Sequence, residues 1–363
     1  MDRIDPDGFI LDFGRSAMIA PRRFGTSGDV LVTGATGLVG NNVVRELLNR
    51  GRSVRVLVRA SSPHGGRALA DLPITRVVGS LGDERAVQRA ADGVSAVIHA
   101  AAFVHCGWWH SEEMRRVNVD GTRLVARAAR RAGARLVHVS SVDALGLRKD
   151  GLPADEETPP QGMPPFPYVV TKREAERAVL DAVAGGLDAV IVNPVYMLGP
   201  WDWKPSSGRM ILEVVVNGKG VFAPPGSNDF VDVRDVADGI LASLDRGRCG
   251  RRYILGGHPL SYYDAWCTFA RVAGTRPPLG RAPRGAVRFA GRIGDLVGLI
   301  TRDEKPLNSA ATATAVLAHN FSCRRAEREL GYRYRPFEET VRDAWNWFVE
   351  HGYTGPLRAV AAR

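Results

Sequence analysis

Tyr168 and Lys172 stand four residues apart in "PYVVTK", a spacing that sets a phenol and an amine on one face of a helix. That pair alone is a common accident. Its weight comes from Ser141, which closes the preceding hydrophobic run "VHVSS". A hydroxyl, a phenol and an amine together make a proton-transfer set. A free tyrosine titrates near ~10, too high for efficient exchange at neutral pH, and a neighbouring ammonium lowers that value by favouring the phenolate. On this reading Tyr168 accepts a proton from a secondary alcohol or donates one to a ketone. Ser141 holds the same oxygen by a hydrogen bond.

A second constellation lies near the start of the chain. "TGATGLVG" places Gly34, Gly37 and Gly40 between a short apolar run and a helical pattern. Small residues there let the backbone approach a pyrophosphate, which rests on the helix N-terminus. Gly34, Thr36, Gly37, Leu38 and Val39 are the positions expected to bind a dinucleotide. The next run, "SVRVLVR", ends in Arg59, followed by Ser61 and Ser62, where an acidic residue would grip a ribose 2′-hydroxyl. A guanidinium pairs bidentately with a phosphate, so NADP(H) is favoured over NAD(H), although stacking of Arg59 on the adenine would leave either open. A positive nicotinamide beside Tyr168 would favour the phenolate further, and Lys172 would bind the nicotinamide ribose. Hydride then moves between substrate carbon and cofactor, with no metal needed.

The elements that must hold these groups follow a β/α rhythm. "DVLVT", "SVRVLVR", "TRVVGS", "SAVIHAAA", "ARLVHVSS" and "DAVIVNP" read as strands, with helices from Val39 to Arg50 and near 83–91, 111–131 and 168–184. The implied fold is α/β, a Rossmann-like doubly wound parallel sheet covered on both faces. From about residue 194 Pro, Gly and Trp crowd the chain, and a smaller, mostly helical substrate lobe is expected over 194–353. Residues 1–28 read as an extension, 29–193 with later returning segments as the dinucleotide domain, and 354–363 as a tail. The last helix carries Phe337, Val341, Trp345 and Phe348 on one face, as core packing. The amphipathic segment Arg284–Ile300, with Arg284, Arg288 and Arg292, suits a membrane surface or, preferably, a helix covering the lobe.

Composition narrows the class. In 363 residues, 45% are hydrophobic and 24% charged, which excludes a disordered or fibrous chain. The net charge of +10 is spread along the sequence rather than gathered in a basic tail. The arginines of "ARAARRAGAR" fall on a helix between strands, so nucleic-acid binding is not expected. Cys106, Cys249, Cys267 and Cys323 form no metal or disulfide pattern, and no run is long and apolar enough to span a bilayer, which together point to the cytoplasm.

These pieces resemble the extended short-chain dehydrogenases/reductases, the NAD-dependent epimerase/dehydratase family, across roughly residues 29–353. The resemblance rests on "TGATGLVG", "GSLGD", "HAAA", "VNVDGT", "VSSVDALG", "YVVTK", "NPVYMLGP" and "FVDVRDVADG". "PADEETP", "WDWKPSSGRM" and "RRYILGG" are similar to its dihydroflavonol reductase-like and hopanoid-associated sugar epimerase branch. It implies that Asp83, with Gly82, approaches the adenine and that Ala100, Ala101 and Ala102 line the cofactor channel. It also implies that Asn118 supports the active-site strand, that Pro194 and Val195 touch the cofactor, and that two long helices per subunit can form a homodimer.

Substrate class is read from departures. The family's dehydratases carry an Asp-Glu pair after the active-site hydroxyl; Val142 and Asp143 stand there, which speaks against loss of water. Its nucleotide-sugar enzymes place an Asn where Tyr196 stands and an Arg where Asn228 stands, both toward a diphosphate, although Lys204 or Arg209 could substitute. Trp108, Trp109, Trp201 and Trp203 suggest an apolar pocket, with ordinary packing as the alternative. Among His99, His105 and His110, His105 could assist proton transfer. Candidate substrate contacts are thus His105, Trp108, Tyr196, Trp203 and Lys204. The leading expectation is a reductase or dehydrogenase of a small-molecule ketone or secondary alcohol, with a sugar or terpenoid substrate open. A sugar epimerase and a non-catalytic cofactor sensor are the alternatives.

Overall fold

The computed structural model describes residues 28–60, 65–217 and 220–355. Ser61, Ser62, nearly all of the N-terminal extension and most of the tail fall outside them. Seven parallel strands form the main sheet: β1 (Val30–Thr33), β2 (Val54–Val58), β3 (Thr75–Val78), β4 (Ala96–His99), β5 (Arg135–Val139), β6 (Ala189–Pro194) and, later in the chain, β9 (Arg252–Leu255). Their order is β3-β2-β1-β4-β5-β6-β9. The winding reverses between β1 and β4, and that switch point is where a crevice opens at the carboxyl ends of the strands.

β1, β4, β5 and β6 are buried at every position because both faces of the sheet are covered. Alternate residues Val30, Val32, Val54, Val56 and Ile98 enter one core, with α1 (Leu38–Asn49) among the elements packed there; Leu31, Leu57, Val97, Leu136 and Ile191 enter the other. The remaining helices before β6 are α2 (Gly65–Ala68), α3 (Glu84–Ala91), α4 (Ser111–Arg115), α5 (Gly121–Ala132) and α6 (Pro167–Ala184). The single helix expected over 111–131 is interrupted: a π-helical turn, Arg116–Asp120, joins α4 to α5. Such a turn re-aims the side chains it carries, and here it carries Asn118. The arginines of α5 face solvent, where Arg127 and Arg131 meet Glu84 at 3.3 and 3.4 Å.

Past β6 the chain builds a smaller lobe of helices around a three-stranded sheet, β10-β8-β7, made of β7 (Tyr196–Leu198), β8 (Ser227–Asp232) and β10 (His258–Ser261). Its helices are α7 (Arg209–Asn217), α9 (Tyr262–Val272), α10 (Arg284–Thr301), α11 (Ser309–Ala315) and α13 (Phe337–Glu350), while α8 (Val233–Arg246) returns to the main sheet beside α1 and α12 (Arg324–Leu330) packs there against α8 and β9. "RRYILGG" does not stay with the lobe; it supplies β9, which pairs with β6. Phe337, Val341, Trp345 and Phe348 of α13 are all buried, so that stripe is core. The covering role expected of α10 is carried only by its glycines: Gly291, Gly294 and Gly298 are buried, and its large apolar side chains are not.

Candidate active site

Ser141, Tyr168 and Lys172 converge at the carboxyl ends of β5 and β6. Two residues beyond β5, Ser141 enters a short 3₁₀ turn, Val142–Ala144, and its hydroxyl accepts from the Asp143 amide at 3.1 Å. Pro at the first position starts α6 and fixes its direction, so Tyr168 and Lys172 come off its first two turns. Lys172 is buried; its Nζ lies 5.9 Å from the centre of the Tyr168 ring and donates to the Val139 carbonyl at 3.1 Å. Thr171, between them, donates back to the Tyr168 carbonyl at 3.1 Å.

The electrostatics differ from the expectation that the ammonium makes the phenol more acidic. Burial raises the Tyr168 hydroxyl well above its ordinary value, and the Asp143 carboxylate raises it further, while the Ser141 hydroxyl acts in the opposite sense. Burial also draws the Lys172 amine down to about 8, with Glu176 and Asp143 opposing the fall. Burial and the Asp143 carboxylate thus both act against the phenolate in the protein without cofactor. Asp143 is itself raised by burial, against His319, Ser141, Lys172 and Arg173. Because an ionised carboxylate beside a phenol disfavours the phenolate, Asp143→Asn is expected to lower the Tyr168 pKa by about 1 unit. The check is a tyrosinate absorbance titration of the wild type and of Asp143→Asn, each titrated as a difference against the matching Tyr168→Phe protein; an unmoved or raised midpoint in the variant would remove Asp143 from the site.

The glycine turn faces this group across the switch point. Gly34 has φ +73°, and a side chain there would lie 2.6 Å from the Ala101 amide, so the loop after β4 presses directly on the turn. Ala101 also donates to Thr33 Oγ1 at 3.4 Å. Gly37 begins α1 with no side-chain cap, and a Cβ at Gly37 would meet only the Gly34 carbonyl, at 3.4 Å. The first amides of this 12-residue helix therefore have no side-chain cap. Such a cradle fits a pyrophosphate held by Thr36, Gly37, Leu38 and Val39. Arg59 is exposed one residue past β2 and has no carboxylate partner among the described residues. Gly82 and Asp83 follow β3, and the Asp83 carboxylate caps α3 by accepting from Ala86 at 3.0 Å. Ala100 and Ala102 are half-buried in the loop beside the turn. Pro194 ends β6, and Val195 is tied to Leu255 at 3.3 Å.

Several predicted substrate contacts fall elsewhere. Trp203 packs against Trp347 at 5.1 Å and His351 at 5.0 Å, and Trp201 takes the Arg45 guanidinium 3.3 Å from its ring centre. Both are committed to an aromatic cluster between α1 and α13, because four large rings fill that joint; packing wins over a pocket wall. Lys204, next to Trp203, is exposed, and Arg209 is paired with Glu213 at 2.7 Å. Tyr196 donates to the Ser207 carbonyl at 3.0 Å, and Asn228 to the Tyr262 hydroxyl at 3.3 Å. His105 contacts Glu304 Oε2 at 2.5 Å and Trp108 donates through its indole to Ser309 at 2.8 Å. His99 is buried between Thr33 at 2.7 Å and Thr122 at 3.0 Å, with its pKa drawn to about 3 by burial and by Lys172. It is a neutral strut.

Comparison with known proteins shows the family. Residues 30–256 match the NAD dependent epimerase/dehydratase family. The chain belongs to that family. It is 34% identical over 336 residues to sterol demethylase protein B of Methylococcus capsulatus, covering 89% of this chain and 98% of that protein. To a candidate dihydroflavonol 4-reductase of Synechocystis sp. it is 36% identical, with 89% and 95% covered. The crystal structure of gox2253 superposes with a TM-score of 0.77 at 35% identity, covering 90% of this chain and 99% of that one.

Within this member of the epimerase/dehydratase family, two residues that tie the site together, Asn193 and Glu176, are ones the motifs did not single out, and a third, Asn118, is one they did. Asn193 donates to the Ser141 carbonyl at 2.9 Å and to Glu176 at 2.6 Å, and Glu176 in turn receives Arg252 at 2.6 Å. Asn118 brackets Phe103, accepting from its amide at 2.7 Å and donating to its carbonyl at 3.0 Å, and reaches Thr171 at 3.2 Å. Asn118 thus locks the loop after β4 to α6. The signal for Glu176 was available: it follows Lys172 at i+4, one turn further on the same face.

Proposed function

We propose that this chain is an NADP(H)-dependent oxidoreductase of the extended short-chain dehydrogenase/reductase type, acting at a secondary alcohol or ketone. The observation that carries the reading is the meeting of Ser141, Tyr168 and Lys172 at the strand ends, opposite an uncapped helix N-terminus. When bound, the nicotinamide supplies or takes up the hydride. Tyr168 gives the proton to the carbonyl oxygen in reduction and receives it in oxidation, and Ser141 holds that oxygen in place. The phenol is too basic in the chain alone, so a positive charge brought in beside it favours the phenolate needed for oxidation. Lys172 holds the nicotinamide ribose. Asn193 and Asn118 keep the two walls from drifting apart.

Neither Tyr196 nor Asn228 offers a cation to a diphosphate, and Arg209 is neutralised by Glu213. A compact apolar ketone suits the site better than a nucleotide sugar, in keeping with relatives named for sterol and dihydroflavonol chemistry. A dehydratase would need a second carboxyl where Val142 is buried. The test is NADPH consumption, followed by its absorbance, with a panel of sterol ketones, flavanonols and simple cyclic ketones. Tightly retained cofactor with no net absorbance change on sugars would favour an epimerase instead.

Arg59 is proposed to read the 2′-phosphate. A charge-assisted hydrogen bond contributes about 1.5–3 kcal/mol, so Arg59→Glu is expected to cut the preference for NADPH over NADH by at least about tenfold. Dissociation constants for both cofactors, measured by nucleotide fluorescence, check it. An unchanged ratio would remove Arg59 as the reader of the 2′-phosphate, and a wild type that binds NADH more tightly would assign the chain to NAD(H).

A further inference from the structure

α10 packs on the lobe in an unusual way. A Cβ at Gly294 would lie 1.6 Å from the Leu307 carbonyl, and one at Gly291 would lie 2.0 Å from Thr312 Oγ1, so the helix rests directly on the 307–312 backbone through its glycines. At 3.6 residues per turn, Gly291, Gly294 and Gly298 share an arc of about 60°. Phe289, Ile293, Leu296, Val297 and Ile300 fall on the outward arc, about 100° wide. With Leu299 these side chains are between 39% and 74% exposed. Single exposed apolar residues are ordinary, but five on one helix arc form a patch of the kind that marks an interaction surface.

Between that arc and the glycine arc lie Arg288 and Arg292, with Arg284 further round toward the glycine side, and all three are exposed. Among the described residues none of the three pairs with a carboxylate, whereas Arg115, Arg123 and Arg127 on the other lobe each do. Asp295 is the helix's own acid, and it is spent accepting from the Ser309 amide at 2.9 Å. An apolar arc bordered by unanswered arginines complements an anionic lipid surface. A second copy is a poorer match, because a twofold contact sets the same patch against itself and the exposed face has no acid to answer the arginine row.

We propose that α10 is an interfacial helix that seats this protein on an anionic bilayer, its apolar arc among the acyl chains and its arginines at the phosphates. Its C-terminal loop is wired to the site mouth. Glu304 accepts from the Trp108 and Trp109 amides at 2.7 and 3.1 Å, and Asn308 donates to the Cys106 carbonyl at 2.9 Å. The 103–110 loop, which continues from the proposed cofactor channel, therefore turns toward the membrane with the helix. Docking stands apart from the chemistry; delivery of an apolar ketone from the bilayer rests on the function proposed above.

The test is sedimentation of the full chain with vesicles of phosphatidylcholine containing phosphatidylglycerol, and with phosphatidylcholine alone. The wild type is expected to partition onto the anionic vesicles and to be released by salt. Phe289→Ser with Ile300→Ser should weaken partitioning at least about tenfold. Arg288→Glu with Arg292→Glu should weaken it about 25-fold or more, roughly fivefold for each arginine removed. The arginine pair lies wholly on the surface, so it decides the matter if the apolar pair melts early. NADPH binding is measured alongside and should not move in either variant, which separates loss of docking from loss of the cofactor site. Wild type that sediments with neither vesicle, or variants that bind as the wild type does, would overturn the proposal. So would gel filtration showing a wild-type dimer that either pair converts to monomer, since the face would then belong to a second copy.

Discussion

Tyr168→Phe is expected to lower kcat by about 10²–10⁴-fold, the usual contribution of a positioned acid/base, while NADPH affinity stays nearly unchanged. The substitution removes one oxygen and keeps the ring. Tyr168 is buried in the core that also holds Val169 and Phe166, and those contacts are made by carbon. The lost hydroxyl contact with Ser141 is worth only about 1 kcal/mol of stability, so the folded protein should persist and the turnover measurement should be clean. Steady-state kinetics with NADPH and whichever ketone the panel identifies checks it, with cofactor fluorescence as the second readout. Unchanged turnover would reject Tyr168 as the acid/base and with it the proposed reaction. Loss of NADPH binding instead would give the phenol a role in holding the cofactor.

The other large effect is expected at Gly34. Gly34→Ala puts a Cβ into a left-handed backbone, φ +73°, and 2.6–2.7 Å from three backbone atoms of Ala100 and Ala101. The left-handed conformation costs about 1–2 kcal/mol, and an overpacked contact about 1–3 kcal/mol more. Neither neighbour is a flexible side chain that can swing away; the turn or the loop after β4 must move. Both border the proposed pyrophosphate cradle, so cofactor affinity should fall more than about tenfold together with a melting temperature lowered by on the order of 5 °C. Gly51→Ala is the control. Gly51 has φ +69° but nothing within 4 Å of the added carbon, so it should show only the smaller conformational cost and no change in NADPH binding. Equal behaviour of the two variants would mean that close approach at Gly34 contributes nothing.

The order of strands and helices was legible because it is written in near-neighbour patterns. Runs such as Val30–Thr33 and Ala189–Pro194 are buried at every position because parallel strands are covered on both faces. Tyr168 and Lys172 share a helix face for the same local reason. The break in 111–131 was not legible, since a π-helical turn is one residue of slippage that leaves the apolar pattern almost intact. The tryptophans misled because their size suits a pocket wall and a packed joint equally; only the approach of α13 to α1 put Trp203 among Trp347 and His351.

By itself, then, the amino-acid sequence determined a doubly wound sheet, a glycine turn between its first strand and first helix, and the types and spacing of the three groups proposed to move the proton. These depend on backbone geometry within a few residues, which periodicity and turn chemistry report directly. The tertiary structure alone decided the charge on those groups and the shape of the surface around them. Asp143 raises the phenol, Asn193 couples the serine to Glu176, and Glu304 reaches the 103–110 loop from the far end of α10. Burial and Coulomb energy depend on which distant segments share a space, and that sharing exists only once the chain has folded.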